Sequence, residues 1–251
     1  MMTNLHLIMP MGGAGTRFGD KDFKLPKPLI NLQGKPFFYW AVQSVCKFVA
    51  VKDITFVVLQ EHIDKYQIDK AILSYYPDAQ ICVIPQVLKG AVLTCIEGVQ
   101  NISDDAPLLF NDCDHAFISS AFNKFVLDGC QSDGTNSVDG ALLTFNSDKQ
   151  IYSYVEFDDD GRVIRTIEKE VVSNEAICGA YYFGNKDIFL NAAQAYLKEC
   201  EYAEFFTSGL YNELVKSGLD VCTFKLDEHI SFGIPSEYQD ACSDERLQTL
   251  E

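Results

Sequence analysis

A short apolar run at 5–10 stops at a cluster of glycines, Gly12, Gly13 and Gly15. This predicts a buried strand feeding a tight loop. Further strand-like runs at 54–59, 80–84 and 107–110 alternate with helical segments at 37–49, 61–75 and 89–101. Such alternation predicts a parallel sheet covered on both faces by helices. Between the glycines and the first helix, 24–29 reads as extended, because Pro26 and Pro28 each bias the preceding residue away from helix. A turn at Gln33-Gly34-Lys35 follows, with Pro36 as a first helical residue. Beyond Gly140 the pattern changes to strands at 141–145, 151–157 and 162–167, the last two joined by the hairpin signal Asp158-Asp159-Asp160-Gly161. Another strand at 176–183, helices at 187–200 and 204–217 and a strand at 221–226 complete the chain. The expected fold is α/β, a Rossmann-like doubly wound mixed sheet with a small β-rich annex. Without internal repeats or linkers, 1–251 reads as one domain with a shared core.

Composition narrows the function classes. Among 251 residues, 36 acidic and 20 basic side chains leave a formal net charge of −16. That disfavours nucleic acid as a partner, since affinity for phosphate backbones comes from clustered Lys and Arg. Nine cysteines in no C-x-x-C pair and an odd total fit reduced thiols and a cytoplasmic protein better than a disulfide framework or zinc site. The N-terminal apolar stretch reads as a strand rather than a signal peptide, and no run approaches the ~20 residues that cross a bilayer, so no membrane partner is expected. The four histidines are scattered and no G-x-S-x-G elbow occurs, which leaves no Ser-His-Asp logic.

The glycine cluster sits where ligands bind in an open parallel sheet, after the first strand. It lacks P-loop spacing, and Phe18 occupies the third glycine position of a dinucleotide fingerprint. Arg17, Lys24 and Lys27 follow at once and concentrate cations there in an otherwise acidic chain, which suits a triphosphate. From Met11 to Pro36, three pieces occur in order: Gly12-Gly13-Ala14-Gly15-Thr16-Arg17-Phe18, Pro26-Lys27-Pro28-Leu29 and Gly34-Lys35-Pro36. In this the chain resembles the nucleotidyltransferases that join a nucleoside triphosphate to a phosphorylated sugar or related phosphate, the nucleotide-sugar pyrophosphorylases, including thymidylyltransferase-like and cytidylyltransferase-like members.

The resemblance implies a role for each matching residue. Residues 1–135 would form the nucleotide-binding half and 136–251 the acceptor-binding half. The loop from Met11 to Thr16 would wrap the triphosphate while Arg17 and Lys27 hold and polarise it. Gln86 with Gly90 looks like the base-reading segment, closer to readers of pyrimidines than of purines. Acidic residues after the strand at 107–110 suit Mg²⁺, a hard cation, with Asp114 the first choice of ligand and Asp112 the second. Tyr154, Glu168, Lys169 and Gly179 resemble the acceptor site, lysine on its phosphate. Phe232-Gly233-Ile234-Pro235 looks like the closing G-T-P segment. Many members carry a second metal-binding aspartate two residues before that glycine, where this chain has Ser231; Asp227, Glu228 and His229 are the nearby candidates to replace it.

The partners implied are a nucleoside triphosphate, a pyrimidine one first, and a sugar 1-phosphate, with Mg²⁺ as cofactor and pyrophosphate as product. Short members of this kind occur in surface-polysaccharide pathways. The alternatives are a cytidylyltransferase acting on a non-sugar phosphomonoester, a metal-dependent glycosyltransferase using Asp112-Cys113-Asp114 as a D-x-D motif, and a non-catalytic nucleotide-binding protein.

Overall fold

The computed structural model describes residues 3–15, 18, 23–129 and 138–251. Strand β1 (His6–Met11) lies at the centre, pairing in parallel with β4 (Asp53–Leu59) and β6 (Leu108–Asn111); β4 pairs in parallel with the edge strand β5 (Gln80–Ile84). Strand β11 (Glu175–Phe183) then runs antiparallel to β6. Onto β11 are built the hairpin β9 (Ser153–Phe157) and β10 (Val163–Glu168), and also β8 (Gly140–Asn146), which pairs in parallel with β12 (Val221–Lys225). The result is one nine-stranded mixed sheet, with the annex expected from the sequence continuous with its edge.

The apolar runs work because both sheet faces are covered. Leu5, Leu7, Met9 and Met11 face one core, while Ile8 joins Val57 and Phe110 in the other. On the first face α1 (Phe37–Cys46), α3 (Ile68–Tyr75) and α5 (Ser120–Gly129) contribute Phe38, Val42, Ile68, Ile72 and Phe122. On the second, α4 (Ala91–Gly98), α6 (Lys186–Glu199) and α7 (Leu210–Lys216) contribute Val92, Phe189, Tyr196 and Leu214. Among the described residues no helix is long and apolar enough to cross a membrane.

Several local expectations are corrected. The helix expected over 61–75 is two, α2 (Gln60–Tyr66) and α3, because Gln67 adopts a left-handed conformation at φ 53°. The break lets Ile68 and Ile72 turn into the core after a mostly polar helix. Lys27–Leu29 is a 3₁₀ turn rather than extended, closed by Leu29 N–H to Pro26 O at 2.8 Å and Ile30 N–H to Lys27 O at 3.2 Å. Pro36 belongs to a small hairpin of β2 (Asn31–Leu32) and β3 (Lys35–Pro36) and precedes α1 as its N-cap. Residues 204–206 do not extend α7. The Phe205 N–H donates to Lys89 O and its carbonyl accepts from Val92 N–H, so tertiary bonds replace helical ones.

A second, two-stranded sheet lies beside the main one. Here β7 (His115–Ile118) pairs antiparallel with β13 (Glu228–Ser231), bringing Ser231 opposite His115. Phe232 N–H continues the pairing onto Asp114 O at 3.0 Å, and α8 (Pro235–Ala241) follows. Beneath this region Trp40, Phe37, Phe232 and Leu247 form a third apolar cluster.

Candidate active site

The first strand ends at Met11, whose side chain is buried in the core, so only its backbone is left for a ligand. Gly12 packs against Ile84 and Thr94, Gly13 and Ala14 are exposed, and Gly15 lies beside Lys27. Thr16 and Arg17 lie outside the described residues. The 3₁₀ turn at Lys27 aims its ammonium at Asp114, with which it forms a salt bridge and hydrogen bond. Burial lowers the Lys27 pKa, but the charge and hydrogen bond of Asp114, with Asp112 adding to them, outweigh it and leave the group above its ordinary value. A lysine held this way is a permanent cation beside the glycine loop.

Asp112 and Asp114 follow β6 and diverge. The Asp112 N–H donates to Gly179 O at 2.9 Å, and a Cβ on Gly179 would stand 2.8 Å from Asp112 Oδ2. Gly179 has φ +96° and sits where the β11–β8 register shifts, so it leaves room for the carboxylate that a side chain would take. Asp114 lies against Gly233, whose Cβ would fall 2.7 Å from its Oδ2.

On the acceptor side, Glu168 accepts hydrogen bonds from the Ser153 and Ser208 hydroxyls, and Lys169 Nζ lies 3.5 Å from Glu168 Oε1. Lys169 takes a left-handed backbone at φ 58°, its N–H donates to Tyr152 O at 3.0 Å, and its ammonium lies 4.7 Å from the centre of the Phe206 ring. Tyr154, expected on the acceptor side, has its side chain inside the fold. It is fully buried and donates its hydroxyl to Lys149 O at 2.8 Å, both faces of β9 being covered at Ser153–Val155.

Gln86 is exposed in the loop after β5, and Gly90 begins α4 at φ +112°. The backbone there meets Phe205 so closely that a Cβ on Gly90 would stand 2.3 Å from Phe205 N and 2.6 Å from its O. Phe205 thus ties the Gln86 loop to the segment whose next residue, Phe206, carries Lys169. Gly90→Ala is expected to detach this tie: a positive φ costs ~1–3 kcal/mol and the clash is with backbone, which cannot rotate away. Thermal melting should fall by several degrees, and proteolytic cleavage within 200–206 should speed up.

Of the candidates for the missing aspartate, Asp227 and Glu228 are engaged elsewhere, while His229 keeps a buried Nε2 without a hydrogen-bond partner among the described residues. Asp227 Oδ2 accepts from Ser120 N–H at 2.7 Å, Glu228 pairs with Arg246 at 2.6 Å, and His229 stacks on Phe145 at 3.9 Å. The carboxylate that reaches this place is Glu237, which sequence reasoning missed. Its Oε2 accepts from Ser231 Oγ at 2.6 Å and Gly233 N–H at 3.2 Å, and its Oε1 from Tyr152 Oη at 2.6 Å. A glutamate in the first turn of a helix, two residues after Pro235, was the available signal, since such residues reach back to preceding amides.

Two buried histidines flank the centre. Burial pushes His115 down to about 4, and burial together with the neighbouring His115 pushes His229 down to about 3. Both stay neutral in the fold while the unfolded chain would protonate near pH 6.5, so their contribution is complete above 6.5 and is lost as pH falls towards 4. By pH 5 the loss is expected to be about 2 kcal/mol per histidine, read as a fall in denaturation midpoint between pH 7.5 and 5. Asp104, held low by Lys52 and His6, acts in the same direction at more acid pH.

A doubly wound α/β sheet with its charged centre at the carboxyl edge of the strands is the arrangement of a Rossmann-like ligand-binding protein. The chain belongs to the nucleotidyl transferase family, whose model matches residues 6–241. Solved structures share the fold. A nucleoside-diphosphate-sugar pyrophosphorylase from Vibrio cholerae superposes with a TM-score of 0.79 at 24% identity, over 95% of this chain and 100% of that one. The inositol-1-phosphate CTP transferase of T. maritima gives 0.74 at 14%, over 100% of this chain and 95% of that one. A protein assigned as a glucose-1-phosphate thymidylyltransferase from Bacillus anthracis, solved with sucrose, gives 0.73 at 18%, over 95% of this chain and 94% of that one.

Proposed function

We propose that this chain transfers a nucleotidyl group from a nucleoside triphosphate, a pyrimidine one, to a sugar 1-phosphate, releasing pyrophosphate and forming a nucleotide-sugar. The observation that carries this reading is the Lys27–Asp114 pair beside the glycine loop, in a chain whose family transfers nucleotidyl groups. An oxygen of the acceptor phosphate attacks the α-phosphorus, and the bond from that phosphorus to the bridging oxygen of the β-phosphate breaks. The acceptor is a phosphomonoester with a second pKa near 6, already a dianion at neutral pH, so no general base is required. What the protein supplies is alignment and positive charge. Lys27 and Arg17 neutralise the triphosphate, the Gly12–Gly15 loop offers backbone donors, and Lys169 with Glu168 holds the acceptor.

The acidic pair suits Mg²⁺. Among the described residues no three His, Cys, Asp or Glu side chains are grouped to hold a metal by themselves. Two carboxylates completed by substrate phosphate oxygens is a usual mode for this ion. Asp114 and Asp112 would hold it, and it would supply charge neutralisation at the phosphates.

The test crosses the four common triphosphates with sugar 1-phosphates and non-sugar phosphomonoesters in the presence and absence of Mg²⁺, measuring pyrophosphate. Release with a pyrimidine triphosphate and a sugar 1-phosphate is expected. Release only with a non-sugar phosphate would reassign the acceptor, and glycosyl transfer from a nucleotide-sugar without pyrophosphate release would overturn the reading.

A further inference from the structure

We infer that Glu237 is the positioning residue that joins the triphosphate side of the centre to the acceptor side, an inference that rests on the nucleotidyl-transfer reading above. The residue is 8% exposed, and its carboxylate accepts three hydrogen bonds, each from a neutral donor: Tyr152 Oη, Ser231 Oγ and Gly233 N–H. Among the described residues no lysine or arginine forms a salt bridge with it. A carboxylate held by three donors, one at Tyr152 and two within 231–233, fixes those segments relative to one another. The geometry shows which groups it holds.

One arm runs to Asp114. Glu237 fixes Gly233, whose Cα lies against the Asp114 carboxylate, while the adjoining Phe232 N–H holds the Asp114 carbonyl. The other arm runs to Lys169. Glu237 anchors the Tyr152 hydroxyl, and the Tyr152 carbonyl accepts the Lys169 N–H, holding the left-handed turn that presents the lysine. Hydrogen bonds to an ionised acceptor are about twice as strong as neutral ones, so one carboxylate makes both arms stiff. Ser231 is a donor to this glutamate through its hydroxyl.

The experiment compares wild type with Glu237→Gln, Tyr152→Phe and the double variant, all close in shape to the original. For Glu237→Gln, the acceptor KM is expected to rise and kcat to fall by about 10-fold each, with the triphosphate KM within about twofold. Tyr152→Phe cuts only the acceptor arm and should raise the acceptor KM by roughly 5–10-fold at nearly unchanged kcat. The double variant should be no worse than Glu237→Gln, because both remove one shared bond. Amide exchange at Lys169 and Phe232, measured without substrate, should quicken in Glu237→Gln and at Lys169 alone in Tyr152→Phe, with unchanged melting temperature. Unaltered kinetic constants in an active enzyme would overturn the inference and leave the proposed reaction standing. If the wild type releases no pyrophosphate with any pair, the reaction fails instead, and unaltered exchange at both amides would still overturn the positioning role.

Discussion

Lys27→Ala is expected to lower pyrophosphate release by about 10³-fold or more, the scale seen when a preorganised group facing developing charge is removed. The ammonium is held by the 3₁₀ turn, by Asp114 and by proximity to the Phe18 ring at 5.9 Å. Its removal also leaves Asp114 beside Asp112 with one fewer cation. Stability should drop by about 1–3 kcal/mol, less than for a fully buried pair because the two side chains keep 17% and 23% of their exposure. The double variant Lys27→Ala/Asp114→Ala separates the two effects. It removes both charges together, so it should melt closer to wild type than Lys27→Ala does, while remaining inactive. Chemical denaturation of the three proteins with parallel pyrophosphate assays decides the matter, and normal turnover in Lys27→Ala would sink the assignment of the centre.

Gly179→Ala has the second large effect expected. At φ +96° an alanine is strained, and its Cβ would meet Asp112 Oδ2 at 2.8 Å, Asp112 Cβ at 3.2 Å and His115 Nε2 at 3.3 Å. The aspartate must swing or β11 must shift, and neither is free: the Asp112 N–H is bonded to Gly179 O, and β11 sits between β6 and β8. A destabilisation of about 2–4 kcal/mol follows from strain plus overpacking. Activity should fall by roughly 100-fold, since a displacement of about 1 Å in a reacting centre has that consequence. Asp112→Ala in the Gly179→Ala background removes the contact at 2.8 Å but not the strain at φ +96° or the Cβ contact at 3.2 Å, so it should recover part of the melting temperature without recovering activity.

Much of the molecule is legible from residues close together in the chain. The apolar run ending in Gly12 and Gly13 became the central strand and its loop, the alternation up to Phe110 became the parallel half-sheet, and Asp158–Gly161 became a hairpin. These follow from periodicity, glycine and proline, which act over a few residues. The lysine of Pro26-Lys27-Pro28 was legible as a charge but not as a turn. Only the bonds closing over Pro26 and Lys27 show where its ammonium points.

The tertiary structure alone decided which groups share the centre. Pairing of β7 with β13 lays a C-terminal segment against Asp114, and that register places Gly233 and Glu237 there instead of Asp227 or Glu228. Tyr154 and Met11 matched motifs in the sequence, and the packed fold buries both side chains in the core. The break at Gln67 and the extended course of Phe205 likewise answer to partners distant in sequence. Propensity and motif spacing report what a segment can do by itself. Hydrogen-bond register between remote strands, and the exclusion of water that makes a carboxylate choose its donors, exist only once the chain has closed on itself.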